Sequence, residues 1–279
     1  MKEFQEKLVL IGLVKDCAGY IEKNIENIDK VFGGFTNRQW LLVEYDSKDE
    51  SVFVIRKLSN KYNLHFIPLG SIEAKYTHPS DLNAYCKNVA LEHLFKEKNS
   101  DNLEFVCMVD LGGGNNLLNR ANITKAFDES SQWDACFPNQ AGPYYDIWSL
   151  RHPQWNPNDC WVQYRWLVNK NTGQNRAMWN AVFSKMIFLD PDENAIPVDS
   201  AFGGLGLYKW ETIKSNYYSS HDSDGSQTSE HVPFNLRIKS KGFRLFILPY
   251  LINCGWNEHS ELIKKFYNHS NLIQFDTLR

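Results

Sequence analysis

The chain has 279 residues, with 30 basic against 33 acidic side chains and a formal net charge of −3. That balance excludes the strongly basic footprint that binding to phosphate backbones requires, so nucleic acid is not an expected partner. With 43% hydrophobic and 23% charged residues the composition excludes a disordered chain, and no run of about eighteen apolar residues is present to cross a bilayer. The six cysteines stand singly, with neither a CxxC pair nor a disulfide framework, which points to a reducing, cytoplasmic location.

Leu8 to Val14 is a continuous apolar run, the mark of a strand buried on both faces. After it, Ile21, Ile25, Ile28 and Val31 recur at helical spacing until Gly33 and Gly34 end the pattern. Trp40 to Glu44 reads as a second strand, followed by the polar stretch Tyr45 to Ser51 and a helix from Val52 to Tyr62. Leu64 to Ile67, Asn83 to Phe95 and Phe105 to Val109 continue as strand, helix and strand. Such strict alternation predicts a parallel, doubly wound α/β sheet.

Beyond residue 130 the rhythm changes. Trp133 to Phe137 reads as a further strand, and Pro138 to Gly173 as loop, rich in proline and aromatic residues. Val198 to Tyr208 carries a glycine-rich turn and Tyr217 to Ser229 is polar. A helix over Val232 to Ser240 and a strand over Phe243 to Leu248, ended by Pro249, complete the pattern. No linker or repeat divides the chain, so one domain over 1–279 is expected, with halves 1–130 and 131–279.

In an open parallel sheet, ligands bind beyond the carboxyl ends of the strands. Asp46 and Asp49 follow the second strand there, and Asp110 with Gly112 follows the fourth. Each alone is also what a turn or helix cap looks like. Two phosphate-binding signatures are absent: no GxxxxGK[ST] occurs, and no GxGxxG follows the first strand.

The order of motifs resembles the GT-A-fold nucleotide-sugar glycosyltransferases, in particular the bacterial capsule and lipopolysaccharide type. The segments that carry the resemblance are VEYDSKDES (Val43 to Ser51), KNVA (Lys87 to Ala90), MVDLG (Met108 to Gly112), YYDIWSLR (Tyr144 to Arg151), AFGGLGLY (Ala201 to Tyr208) and SEHVPFNLR (Ser229 to Arg237). Together they span roughly 8–255. The resemblance implies a GT-A-like, mostly parallel sheet flanked by helices, with a nucleotide-sugar-binding half over 1–130. The aromatic-rich half over 131–279 would bind the acceptor and carry the catalytic base. It implies an enzyme moving a sugar from a nucleoside diphosphate onto a polysaccharide or lipid-linked glycan, with peripheral contact at the inner membrane face where the acceptor is lipid-linked.

Residue by residue, the resemblance assigns the donor to Asp46, Asp49, Lys87, Asp110, Gly112 and Arg151. The acceptor falls to Asp146, Trp148, Phe202, Gly203 and Gly204, and the proton to Glu230 or His231. A partly buried carboxylate suits a general base, and its presence favours inversion over retention. A divalent ion, Mn²⁺ or Mg²⁺, would sit at Asp110 with help from His231. The family's DxD is here Asp110-Leu111-Gly112, however, lacking the second carboxylate, so a metal-free enzyme stays open. The rival expectation is a non-catalytic nucleotide or sugar binder on the same fold, which that departure would explain.

Overall fold

The computed structural model describes residues 2–97 and 102–267. In chain order the elements are β1 (Lys7–Val14), α1 (Ile21–Val31), β2 (Arg38–Glu44), α2 (Ser51–Leu58), β3 (Leu64–Pro68), α3 (Pro79–Lys96) and β4 (Leu103–Val109). They continue with α4 (Arg120–Asp128), β5 (Ala135–Gln140), α5 (Cys160–Asn169), α6 (Gln174–Ala181), β6 (Ile196–Pro197) and β7 (Leu205–Lys209). A single turn of α7 (Trp210–Ile213), α8 (His231–Ser240), β8 (Leu245–Cys254) and α9 (Glu258–Tyr267) follow.

All eight strands join one sheet in the order β3-β2-β1-β4-β7-β5-β8-β6. The first four are mutually parallel, as the alternating front half predicts. β1 lies at their centre, and its residues alternate between the two hydrophobic layers, Val9 and Ile11 facing one, Leu8, Leu10 and Val14 the other. A strand buried on both faces has no place for a polar side chain, which is why the sequence shows an unbroken apolar run.

β7 runs antiparallel to its neighbours, as does the two-residue β6 against β8. It lies between β4 and β5, with Val109 opposite Leu205. This pairing brings the start of β7, and the glycines before it, to the same sheet edge as the carboxyl ends of the parallel strands.

Three expectations are corrected. The stretch 138–173 is not loop throughout: α5 forms at Cys160, with the Asp159 carboxylate accepting from the Trp161 and Val162 N–H groups, a side-chain cap. α3 begins four residues before Asn83, with Pro79 in its first turn, where a missing N–H costs nothing. Pro249 does not end β8, which continues to Cys254. The register with β5 slips between Phe137 and Asn139, and the Asn139 side chain donates to the Pro249 carbonyl. An irregular pair accommodates proline because no ladder N–H is required at the slip.

Candidate active site

Four strand ends, two glycines and one helix start meet at this edge. The Asp110 N–H donates to the Gly204 carbonyl at 2.9 Å. Asn115 donates to the carbonyls of both Asp110 and Gly204, and Asn253 at the end of β8 donates to Gly114, Asn115 and Gly203. Gly203 and Gly204 hold φ of 64° and 92°, the left-handed region that glycine enters without a Cβ penalty. Buried amides therefore lock the Asp110 turn and the glycine turn to each other.

A cavity of about 350 Å³ opens there, lined by Asn83, Lys87, Asp110, Trp148, Ser149, Phe202, Ser229, Glu230 and His231 among others. Lys87 comes from α3, Asp110 from the β4 end, and Glu230 and His231 from the start of α8. The Lys87 ammonium lies 2.5 Å from Glu230 Oε1 and 2.7 Å from His231 Nε2. It also sits over the rings of Phe202 and Tyr218, at 5.3 and 5.2 Å from their centroids. A desolvated ammonium is satisfied by such carboxylate, imidazole and π-face partners.

His231 is 3% exposed and stacked on Phe202, ring centroids 3.7 Å apart. Burial, and then the adjacent Lys87 charge, hold its pKa well below the ordinary histidine value. The imidazole is neutral at pH 7, and its Nε2 lone pair faces an ammonium that only donates. That leaves the proton on Nδ1, which is buried without a hydrogen-bond partner among the described residues. Glu230, by contrast, presents a carboxylate to the cavity.

The residues do not fit a protein-built metal centre. Among the described residues no three His, Cys, Asp or Glu side chains group to hold an ion. The Asp110 carboxylate already accepts the Gly112 N–H at 2.7 Å, and Leu111, where the family's variable middle position falls, is buried in the core. His231, expected as a ligand, is excluded from that role by the ammonium on its Nε2.

Other expected residues lie elsewhere. Arg151, assigned to the diphosphate, does not reach this cavity. Its guanidinium is buried and donates to Asp159, to Thr228 and to the carbonyls of Trp148 and Leu150. Trp148 Nε1 and Thr228 Oγ1 also donate to Asp159, so Arg151 and Asp159 staple the Trp148 segment to the strand of chain leading into Glu230. Asp46 and Asp49 stand at the β2 end as expected, but neither lines the cavity. Asp46 accepts the N–H groups of Ile72 and Glu73. Asp49 accepts those of Ser51 and Ala18, tying the loops after β1 and β2 together.

A second cavity, of about 400 Å³, adjoins the first across the shared residues Asp110, Trp148 and Phe202. Asp146 and Gly204 lie on its wall. Asp146 accepts from Gly203 and Ser149, and burial raises its pKa above the usual carboxylate value. Sequence reasoning missed Asn83, Ser149 and Tyr45 as cavity residues. Asn83 was legible in principle, since it lies one helical turn before Lys87 and so shares its face.

No family model and no curated protein matches the chain. The similarity lies in solved structures: TarS from S. aureus superposes with a TM-score of 0.52 at 16% identity, over 96% of this chain and 40% of that one. TarS 1-349 in complex with UDP gives 0.51 at 16% identity, over 96% of this chain and 67% of that one. The fold is GT-A-like. A mannosyltransferase from Pyrobaculum calidifontis, in complex with GDP-Man and Mn²⁺, reaches a TM-score of 0.49 at 14% identity, covering 90% of this chain and 57% of that one. The chain spans 58% of TarS 1-349 in a further comparison, less than two thirds of its length.

Proposed function

We propose that the chain transfers a sugar from a nucleoside-diphosphate donor to an acceptor hydroxyl, with inversion, and that Glu230 is the base. The observation that carries this reading is the meeting of Lys87, Glu230 and Asp110 in one cavity at the carboxyl edge of the sheet, with Lys87 and Glu230 buried. Cytoplasmic placement goes with it, since that is where such donors are made available.

The chemistry is a single displacement. Glu230 takes the acceptor hydroxyl proton while the oxygen attacks the sugar's anomeric carbon from the face opposite the diphosphate. The bond from that carbon to the phosphate oxygen breaks, and its electron pair leaves on the diphosphate. Positive charge near that leaving group comes from Lys87, the one cation lining the cavity among the described residues. As it stands, Lys87 is spent on Glu230. An arriving diphosphate offers it a doubly charged partner and frees the carboxylate, so the donor binds before the acceptor. His231 is then a positioning residue, neutral and holding the ammonium from one side.

TarS was crystallised with UDP, which makes UDP the first nucleotide to try. Thermal shift with UDP, GDP, dTDP and CMP, each with Mn²⁺, Mg²⁺ or EDTA, is expected to give a shift with one nucleotide that survives EDTA. Glu230→Gln is expected to keep that shift and to lose transfer by about 10²–10⁴-fold. Undiminished turnover in that variant would falsify the assignment of the base. Binding without any turnover in the wild-type chain supports the rival, a nucleotide-sugar binder.

A further inference from the structure

The second cavity has no task in the displacement itself. Its wall is mainly apolar, with Trp161, Met178, Val182, Phe183, Met186 and Leu262 among the residues that line it. Its polar side chains are Asp110, Tyr145, Asp146 and His259, with the indoles of Trp148 and Trp161, and Asp146 and Trp148 are engaged within the protein. Both Asp146 oxygens accept backbone N–H groups, and Trp148 turns its Nε1 away to Asp159. A sugar ring buried there would find few partners for its several hydroxyls, at a cost that an apolar group does not incur.

The cavity is nevertheless built to be filled. At about 400 Å³ it falls within the range of small-ligand sites, and two flexible thioethers let its wall adapt. It is roofed by α9, where His259 stacks on Tyr145 at 5.5 Å and Leu262, 43% exposed, stands at the mouth. Its inner end is the Asp110, Trp148 and Phe202 wall that it shares with the cavity of Glu230. A group held in the apolar side therefore presents whatever is attached to it across that wall to the base.

We infer that this cavity receives an apolar aglycone, alkyl or aryl, carried by the acceptor beside its reactive hydroxyl. The inference rests on the transfer reading above, and it narrows the acceptor from a bare glycan to one joined to an apolar group.

Isothermal titration of the full chain in the presence of UDP tests it, comparing n-octyl β-D-glucopyranoside, below its micelle concentration, with the methyl glucoside. Each buried methylene is worth roughly a four-fold gain in affinity, so the octyl compound is expected to bind at least ten times more tightly. Met178→Trp fills the cavity and Leu262→Glu charges its mouth. Neither residue is deeply buried, and each variant is expected to bring the octyl compound down to the methyl level while keeping the thermal shift with UDP. Equal affinity of the two glucosides for the wild-type chain overturns the inference, as does octyl binding that survives both substitutions. Absence of any UDP shift in the wild-type chain counts against the donor reading instead, because the octyl-to-methyl ratio is measured separately.

Discussion

Replacing Lys87 by methionine tests the charge arrangement most directly. The Lys87 and Glu230 side chains are 11% and 7% exposed, so their attraction is little screened by solvent. Methionine keeps the length and apolar stem of lysine while removing the charge, which leaves the Glu230 carboxylate buried beside two aromatic rings and an imidazole. Breaking a buried pair from one side costs about 3–5 kcal/mol. For a chain of this length that lowers Tm by roughly 6–10 °C, at about 2 °C per kcal/mol. The double variant Lys87→Met with Glu230→Gln removes the stranded charge, and the cycle is expected to give a coupling of roughly 2–3 kcal/mol. Urea unfolding of the four proteins at pH 7.5 supplies every leg. A coupling below about 0.5 kcal/mol would refute the reasoning, since the two groups would then be separately solvated and Lys87 would not be restraining the base.

Stability is also expected to fall on mild acidification. His231 binds its proton less readily folded than unfolded, so its contribution is complete above the unfolded pKa and declines as pH drops below about 6.5, by about 1.4 kcal/mol per unit. His65 and His152, both lowered by burial, add in the same direction, so the share of His231 is the difference between wild type and His231→Gln in urea titrations at pH 7.5, 6.5 and 5.5. Arg151→Leu, by breaking the buried pair with Asp159, is expected to cost about 3–5 kcal/mol in unfolding experiments. It should leave the affinity for UDP within two-fold; a loss of affinity beyond about ten-fold would restore Arg151 to the diphosphate. Gly204→Ala places a Cβ at φ 92°, 3.1 Å from the Tyr145 hydroxyl and 3.3 Å from Asn253 Nδ2. A cost of about 1–3 kcal/mol is expected, and a neutral outcome would show that the glycine turn is not locked to the Asp110 turn.

Much of the fold was legible because burial on two faces leaves a plain trace. Leu8 to Val14 could only be a central strand, and the alternation up to Val109 fixed the parallel half. β7 was not legible. Leu205 to Lys209 is a short segment after a glycine turn, and its antiparallel place between β4 and β5 depends on partners far away in sequence, such as Val109 opposite Leu205 and Ala135 opposite Tyr208. The same holds at the site. The resemblance named Lys87, Asp110, Glu230 and His231 as candidates, and the structure brings them to one cavity. Which groups they engage is set by packing between α3 and α8, elements separated by more than a hundred residues, and no local pattern encodes it. Arg151 illustrates the limit: the chemistry of a guanidinium suits a diphosphate and a buried carboxylate equally, and only Asp159, eight residues on, decided between them.

The loss of the second carboxylate and the burial of Lys87 bear on the same electrostatic problem. A diphosphate leaving group needs compensating positive charge, and a turn reading Asp110-Leu111-Gly112 holds a divalent ion poorly because Gly112 stands where a second carboxylate would be. A lysine on a neighbouring helix supplies one charge without a ligand set, but an ammonium as buried as that of Lys87 is costly without a partner. Glu230 offsets that cost through its contact with Lys87, and under the proposed mechanism the same contact would restrain the base until a phosphate replaced it. In the proposed reaction a single ion pair would thereby both neutralise the cavity and set the order of binding. Initial-rate kinetics should accordingly show the donor binding first, with the acceptor held only in its presence. An acceptor that binds equally well with and without nucleotide would break the link between Lys87 and the base.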